Sequence, residues 1–444
     1  MTQHFTLPTH RNNPNRKVAY INARLYDPAS GLDSKGALLT MGNSIADFGP
    51  QLFSDGKTPE GAEVVDCKGH LLTPGLLDIQ VHFREPGQEH KETIATGSRS
   101  AAAGGVTTVV CMPNTKPVID DISVVAFIFR RARETSYVNV LPYAAISKGM
   151  KGQEITEMGL LMEAGAVGFT DDGLPVMNAG VMRKALAYSK EFGIPVAQHA
   201  EDLNLSGGSC MNEGKVSAHL GLPGYPNAAE AVIVERDIIL TELTGGRYHV
   251  LHISTAEAIE AVRRAKHKGL RVTCEAAPHH FTLTEEAVLG YRTFSKMNPP
   301  LRAEKDRIAV IEGLKDGTID AIATDHAPHD EENKRVPFTS AANGIVGLET
   351  MLPLSLSLYH KGIMPLRDVM AAMTYKPADI INQPVGRFKK GTRADLTLID
   401  LDVKWMLDPK SFNSKSLNSP FDDWEVQGRA VRTVVGGDTV YALD

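Results

Sequence analysis

A chain of 444 residues, 42% apolar and 23% charged, is long enough for one large domain or two ordinary ones around a sizeable core, which excludes global disorder. Lys and Arg number 47 against 53 Asp and Glu, a formal net charge of −6, so no basic field exists to hold nucleic acid or an anionic membrane. The four cysteines, Cys67, Cys111, Cys210 and Cys274, form no CxxC pair. This argues against a disulfide framework or a thiolate zinc site and fits a reducing, cytoplasmic location.

The opening MTQHFTLPTHRNNPNRK lacks the apolar run of a secretory signal, and no later window approaches the length of a membrane span. Residues 1–16 read as a polar, disordered tail. Residues 17–75 then give short strands broken by turn residues: VAYINARLYD, GALLTMG, SIADFG and EVVDCKG. The last stretch, 385–444, has the same character in ADLTLIDLD, AVRTVVGG and DTVYALD. The two β-rich ends are expected to pair as one small, β-sandwich-like composite domain.

Between them, over 76–384, the pattern changes. Short apolar runs alternate with helix-length segments: LLDIQVHF, VTTVVCMP, VNVLPYAAI, AVGFTDD, GIPVAQHA, YHVLHIS, RVTCEAAPHH and DAIATDHAPH. Eight β-then-α units in an α/β chain predict a (β/α)8 TIM-type barrel. A doubly wound open sheet is the rival, but no Gly-rich dinucleotide loop follows the first strand.

In such a barrel the chemistry sits at the C-terminal ends of the strands. Those ends hold Gln80, His82 and Arg84 on the first run, Asp171 and Asp172 on the fourth, His199 on the fifth, His252 on the sixth, and Asp325, His326 and His329 on the eighth. One histidine at such a place is usually a packed core residue. Imidazole and carboxylate arriving from four strands are what a divalent ion such as zinc needs. The two-residue period of a strand puts Gln80, His82 and Arg84 on one face. It allows only one of His249 and His252 to point inward, and His252 is nearer the strand end. His279 and His280 close the seventh run, either behind the ligands or as structural residues. Residues 330–344, long and charged, could close as a lid or form a plain surface excursion.

Several motifs in order carry a resemblance. HFREPG, the MPNT of residues 112–115, FTDDG, KMNPPLR and ATDHAPH together resemble the cyclic amidohydrolases, in particular dihydroorotases of the bacterial zinc type. The likeness runs along the whole chain and implies the following. His82, Asp172, His199, His252 and Asp325 are metal ligands, with Asp172 bridging two ions and Asp325 also the catalytic base. Arg84, Asn114, Asn298 and His329 contact the substrate. The reaction is the reversible closure of N-carbamoyl-L-aspartate to L-dihydroorotate in pyrimidine synthesis, by metal-activated hydroxide. The cofactor is zinc, one or two ions per chain, and the partners are the small substrate and a second copy in a homodimer.

One departure stands out. The family pattern at the first strand is His-x-His, and here Gln80 replaces the first His ligand. An amide oxygen is a poor zinc ligand beside imidazole. The first metal position is therefore expected to be weak, while Asp172, His199 and His252 keep a full set at the second. Gln80 also keeps open a non-catalytic role as structural partner of aspartate transcarbamoylase. A further alternative is a hydrolase of hydantoin or allantoin rings, though those substrates lack the acid group that Arg84 and Asn114 would hold.

Overall fold

The computed structural model describes residues 2–7 and 14–443. Strands Leu76–Val81 and Val106–Cys111 are buried at every position, as strands covered on both faces must be. They pair in parallel with each other, and Val106–Cys111 pairs on its other side with Asn139–Pro142. A second parallel set follows in chain order: Val196–Gln198, Tyr248–Val250, Val272–Ala276 and Ala321–Ile322. Phe169 joins the two sets through parallel bridges to Ala144 and Val196, and a bridge from Val81 to His326 closes the ring. The eight expected strands thus form the barrel, the fourth reduced to a single bridging residue. Gly168 is required there, because a Cβ would stand 2.2 Å from the Tyr143 ring.

Polar caps start the outer helices. Thr93, Asp121, Asn178 and Thr255 each accept a backbone N–H at the head of Ile94–Ala103, Ile122–Thr135, Ala179–Ser189 and Ala256–His267. Apolar side chains between helices and strands, Val109, Ile128, Val196, Val262 and Leu352 among them, make one continuous core.

The two ends of the chain do meet. Leu396–Met406 pairs antiparallel with Leu71–Pro74, and Glu425–Val435 and Asp438–Leu443 extend the sheet on one side. Lys17–Asp27, Leu32–Met41 and Ser44–Gly49 extend it on the other, with Glu63–Asp66 beside Lys17–Asp27. One nine-stranded sheet results. It curls over Tyr20, Leu25, Leu38, Ile45 and Leu396, and its far edge returns to the start through Ile45 N–H donating to Thr392 O at 2.9 Å.

Two expectations need correction. Gln3–Phe5, placed in a disordered tail, form a strand against Asp438–Leu443. The reason is Phe5, whose ring packs 5.2 Å from Tyr441 and 5.8 Å from Tyr137 and lies under the Arg99 guanidinium. Residues 8–13 of that tail lie outside the described residues. His279 and His280 sit in the short helix Pro278–Thr282, after the seventh strand has ended at Ala276.

Candidate active site and metal centre

The strand ends deliver their polar side chains to one mouth. Asp172 stands at its centre with a different oxygen toward each neighbour group. Its Oδ1 lies 3.4 Å from His199 Nδ1 and 3.3 Å from His252 Nε2, and those two nitrogens are 3.0 Å apart. Its Oδ2 lies 3.2 Å from His82 Nε2, which is 3.1 Å from Asp325 Oδ1. Asp172, His199 and His252 form one group and His82, Asp172 and Asp325 another. Within each, the donor atoms lie inside 4.8 Å of one another, and every member is buried. Tetrahedral donors at about 2.0–2.2 Å from one ion lie roughly 3.3–3.6 Å apart, close to the separations of 3.0 to 3.4 Å given above.

Electrostatics support an ion there. Burial alone would push the imidazoles of His82 and His199 down, yet the carboxylates around them win. His82 is held up at about 9 by Asp172 and Asp325, and His199 at about 10 by Asp172 and Glu201. Asp172 goes the other way: burial would raise it, and His199, His252 and His82 pull it well below the usual carboxylate range. A buried cluster of this kind demands positive charge, which a divalent cation supplies in place of protons.

Backbone conformation marks the same residues. Arg84, His252 and Asp325 adopt φ of 60°, 32° and 51°, the left-handed region that residues with a Cβ seldom occupy. Strain is being stored where side chains must be aimed.

Around the two groups lie residues that hold their side chains in place. His199 presents its second nitrogen, Nε2, to Glu201 at 2.9 Å, and Asn298 Nδ2 donates to the same carboxylate at 2.8 Å. His82 Nδ1 faces Asn114 Oδ1 at 2.9 Å. Such partners fix the ring and the tautomer of a ligating histidine. Sequence reasoning missed Glu201, although it stands two residues beyond His199 and the strand period would place both on one face. Gln80 turns Nε2 toward Asp172 Oδ2 at 3.3 Å and leaves its Oε1 buried with no partner.

Arg84 is buried, and among the described residues it pairs with no carboxylate. Glu85 is taken by Arg131, and Glu92 lies 3.4 Å from His326. Arg84 Nε donates to Pro328 O at 3.3 Å, and Nη2 lies 3.4 Å from His329 Nε2. Burial, with Arg84 beside it, drives the His329 imidazole down to about 2, so it is neutral and can accept from the guanidinium. Asn298 Oδ1 and His329 Nδ1 are buried without a partner.

Other candidates face away. Asp171 accepts from Ser147 N–H and its hydroxyl. His326 Nδ1 accepts from Gly347 N–H at 3.1 Å. His249 lies between Thr273 and Glu275. A cavity of about 170 Å³ beside Asn298 and Glu201 opens at the mouth, whereas a larger one of about 530 Å³, bordered by Arg24, Lys35 and Phe53, belongs to the sheet domain.

Known proteins place this arrangement. Over its full 444 residues the chain is 58% identical to a dihydroorotase of Wolbachia sp. subsp. Brugia malayi (strain TRS), covering 100% of both. It belongs to the dihydroorotase-like family. Residues 69–258 match the family model described as Dihydro-orotase-like. A dihydroorotase of Ehrlichia chaffeensis (strain ATCC CRL-10679 / Arkansas) is 56% identical over 96% of this chain and 95% of its own. Among solved structures, an L-hydantoinase (dihydropyrimidinase) from Arthrobacter aurescens superposes with a TM-score of 0.85 at 26% identity, over 95% of each chain. Members of the family are cyclic amidohydrolases built on a TIM-type barrel, and the two donor groups fit the metal dependence of that class.

Proposed function

We propose that the chain catalyses the reversible cyclisation of N-carbamoyl-L-aspartate to L-dihydroorotate in pyrimidine biosynthesis. Zinc would be held by His82, Asp172, His199, His252 and Asp325. The observation that carries the substrate is Arg84, a buried guanidinium without a carboxylate of its own, beside two metal-ligand groups. Hydantoin and allantoin rings bring no carboxylate to such a site; dihydroorotate does.

In hydrolysis, water adds to the ring amide carbonyl, the C–N bond breaks and the nitrogen takes a proton. A bound divalent ion supplies Lewis-acid polarisation of that carbonyl and acidifies water. Asp325 takes the proton from water and returns it to the leaving nitrogen. Arg84 grips the substrate carboxylate, with His329 beside it. Asn298 offers its unpartnered Oδ1 to a ring N–H. Asn114 and Glu201 hold His82 and His199 in line.

Both groups draw on Asp172, and the second, with two imidazoles against one in the first, would bind zinc more tightly. This favours an enzyme over a non-catalytic partner of aspartate transcarbamoylase. A homodimer is proposed on the exposed apolar stripe of the helix Asn227–Thr244. Among the described residues no helix is long and apolar enough to cross a membrane, and a cytoplasmic location is proposed on the free, buried cysteines. The test is carbamoyl aspartate cyclisation assayed beside hydantoin and allantoin hydrolysis, with metal analysis of the same sample. Turnover of either ring and none of carbamoyl aspartate would overturn the assignment.

A further inference from the structure

Where a barrel strand ends, the backbone turns irregular and its N–H and C=O groups need partners from outside the sheet. Beside Asp172, His199 and His252 one helix, Asn227–Thr244, supplies them. Glu230 lies in its first turn and is buried. Its carboxylate accepts from Ser254 N–H at 3.1 Å, from Thr255 N–H at 2.9 Å, and from the hydroxyls of both residues. The Arg302 guanidinium, 3.7 Å away, is its counter-charge. The clasped backbone begins just beyond His252.

Further along the same helix, Arg236 forks onto Val176 O and Met177 O at 2.8 Å each, and its Nε donates to Asp237 Oδ1 at 2.8 Å. Val176 N–H donates to Gln198 Oε1 at 3.2 Å, and Gln198 Nε2 donates to Asp237 Oδ2 at 3.2 Å. Both backbone groups of Val176, in the loop that follows Asp172, are thereby held. Gln198 immediately precedes His199. Beyond His199, Asp202 N–H donates to Ala229 O of the helix at 2.8 Å. The strand ends of His82 and Asp325 are fastened to each other instead: His82 N–H donates to His326 O at 2.8 Å, and Thr324 N–H to Asp78 Oδ1 at 3.0 Å.

Stability alone does not call for these charges. Well-packed apolar residues commonly replace a buried ion pair with no loss. What a buried carboxylate or guanidinium adds is direction, because each bond fixes one backbone group in place. A metal site needs its donors held to within about 0.5 Å.

We propose that Glu230, Arg236 and Asp237 are positioning residues, through which the helix Asn227–Thr244 sets the spacing of Asp172, His199 and His252 and so preorganises one metal position and not the other. This rests on the reading of those three residues as zinc ligands.

The test compares zinc release to a chelator, and the visible spectrum of the cobalt-loaded protein, in Arg236→Met, Arg236→Lys, Glu230→Gln and Ile233→Ala. Arg236→Met and Glu230→Gln are expected to speed release of the zinc held by Asp172, His199 and His252 about tenfold or more and to alter the cobalt spectrum. Arg236→Lys, which can keep only part of the fork, should fall between Arg236→Met and the unaltered protein. KM for dihydroorotate should stay within about twofold in all of them, because Arg84 is held by other residues. Ile233→Ala weakens the packing of the same helix but makes none of these bonds, so it should lower thermal stability and leave release and spectrum unchanged. Release unchanged in both Arg236→Met and Glu230→Gln, or accelerated as much by Ile233→Ala, would overturn the proposal. Should Arg236→Met fail to fold, Arg236→Lys and Glu230→Gln carry the same comparison. An unaltered protein that binds no zinc is a failure of the metal assignment and takes the proposal with it; zinc held equally well by every variant is a failure of the positioning role alone.

Discussion

Asp325 is close to His82 and strained in its backbone, whereas Asp172 faces three histidines and Glu201 is taken by His199, Ser206 and Asn298. Asp325→Asn keeps the shape and loses the base, so turnover should fall about a hundredfold or more. Circular dichroism should stay unchanged, and near-normal turnover would remove Asp325 from the mechanism. Arg84→Met should cost roughly 2–5 kcal/mol in kcat/KM, with zinc content intact, because Arg84 touches Pro328 and His329 and no ligand. Loss of metal alongside activity would make Arg84 structural. Gln80 bears on metal count. With Oε1 unpartnered and only an amide in place of imidazole, near one tightly held zinc per chain is expected after dialysis, at Asp172, His199 and His252. Anomalous scattering places the ion, and two fully occupied positions would show that the amide serves as a ligand. Gln80→His should raise occupancy of the first position.

Among the secondary elements, the helix Ile94–Ala103 is fastened to the C-terminal segment by one carboxyl. Glu349 accepts from Ser100 Oγ at 2.9 Å and from Asn413 N–H and Nδ2 at 2.6 and 3.0 Å. Burial nevertheless pushes its carboxyl up to about 7, from a usual value of 4.5. The folded chain then keeps a proton that the unfolded chain gives up, so stability should fall as pH rises from about 4.5 to about 7. Glu349→Gln removes the ionisation while the Asn413 amide turns to match it. It should flatten that slope and raise stability at pH 8 by about 1–2 kcal/mol, since the site is only partly buried. Urea unfolding at pH 5 and pH 8 measures both; a slope unchanged in the variant would mean that another group is responsible.

At the scale of the whole molecule, the helix Asn227–Thr244 is apolar on two faces. Ile233, Val234 and Ile238 enter the core, while Val232, Ile239 and Leu243 remain 48%, 63% and 64% exposed. A two-fold axis between Glu235 and Arg236 would set Val232 against Ile239 and Ala228 against Leu243 of a second copy, a self-matching stripe. Glu235–Arg264 and Glu242–Lys268 ion pairs border it, leaving an apolar centre and a polar rim. The homodimer proposed above predicts a mass twice the 48.1 kDa of one chain in sedimentation equilibrium, halved by Ile239→Glu without loss of helix content, and a monomeric unaltered chain would overturn it. An undiminished dimer would place the interface elsewhere.

How much could be read in advance follows from the reach of each signal. The alternation of apolar runs with helix-length segments determined the barrel, because parallel strands covered on both faces must be continuously apolar. It also placed His82, Asp172, His199, His252 and Asp325 at strand ends, where a barrel gathers its chemistry. The β-rich termini were legible as partners for the same reason: strand patterns at both ends have nowhere else to pair. What no local pattern could reveal is contact across the sequence. Phe5 orders its strand only because Tyr137 and Tyr441 wait for it. Asp171 turns to Ser147 while its neighbour Asp172 faces the histidines, a choice made by the packing of the fourth strand. The segment 330–344 reads as a lid or a plain surface excursion, and only the tertiary structure shows three backbone carbonyls folded around Lys334. Periodicity tells a side chain which face to take; the partner on that face comes from residues far along the chain, and the tertiary structure alone brings them there.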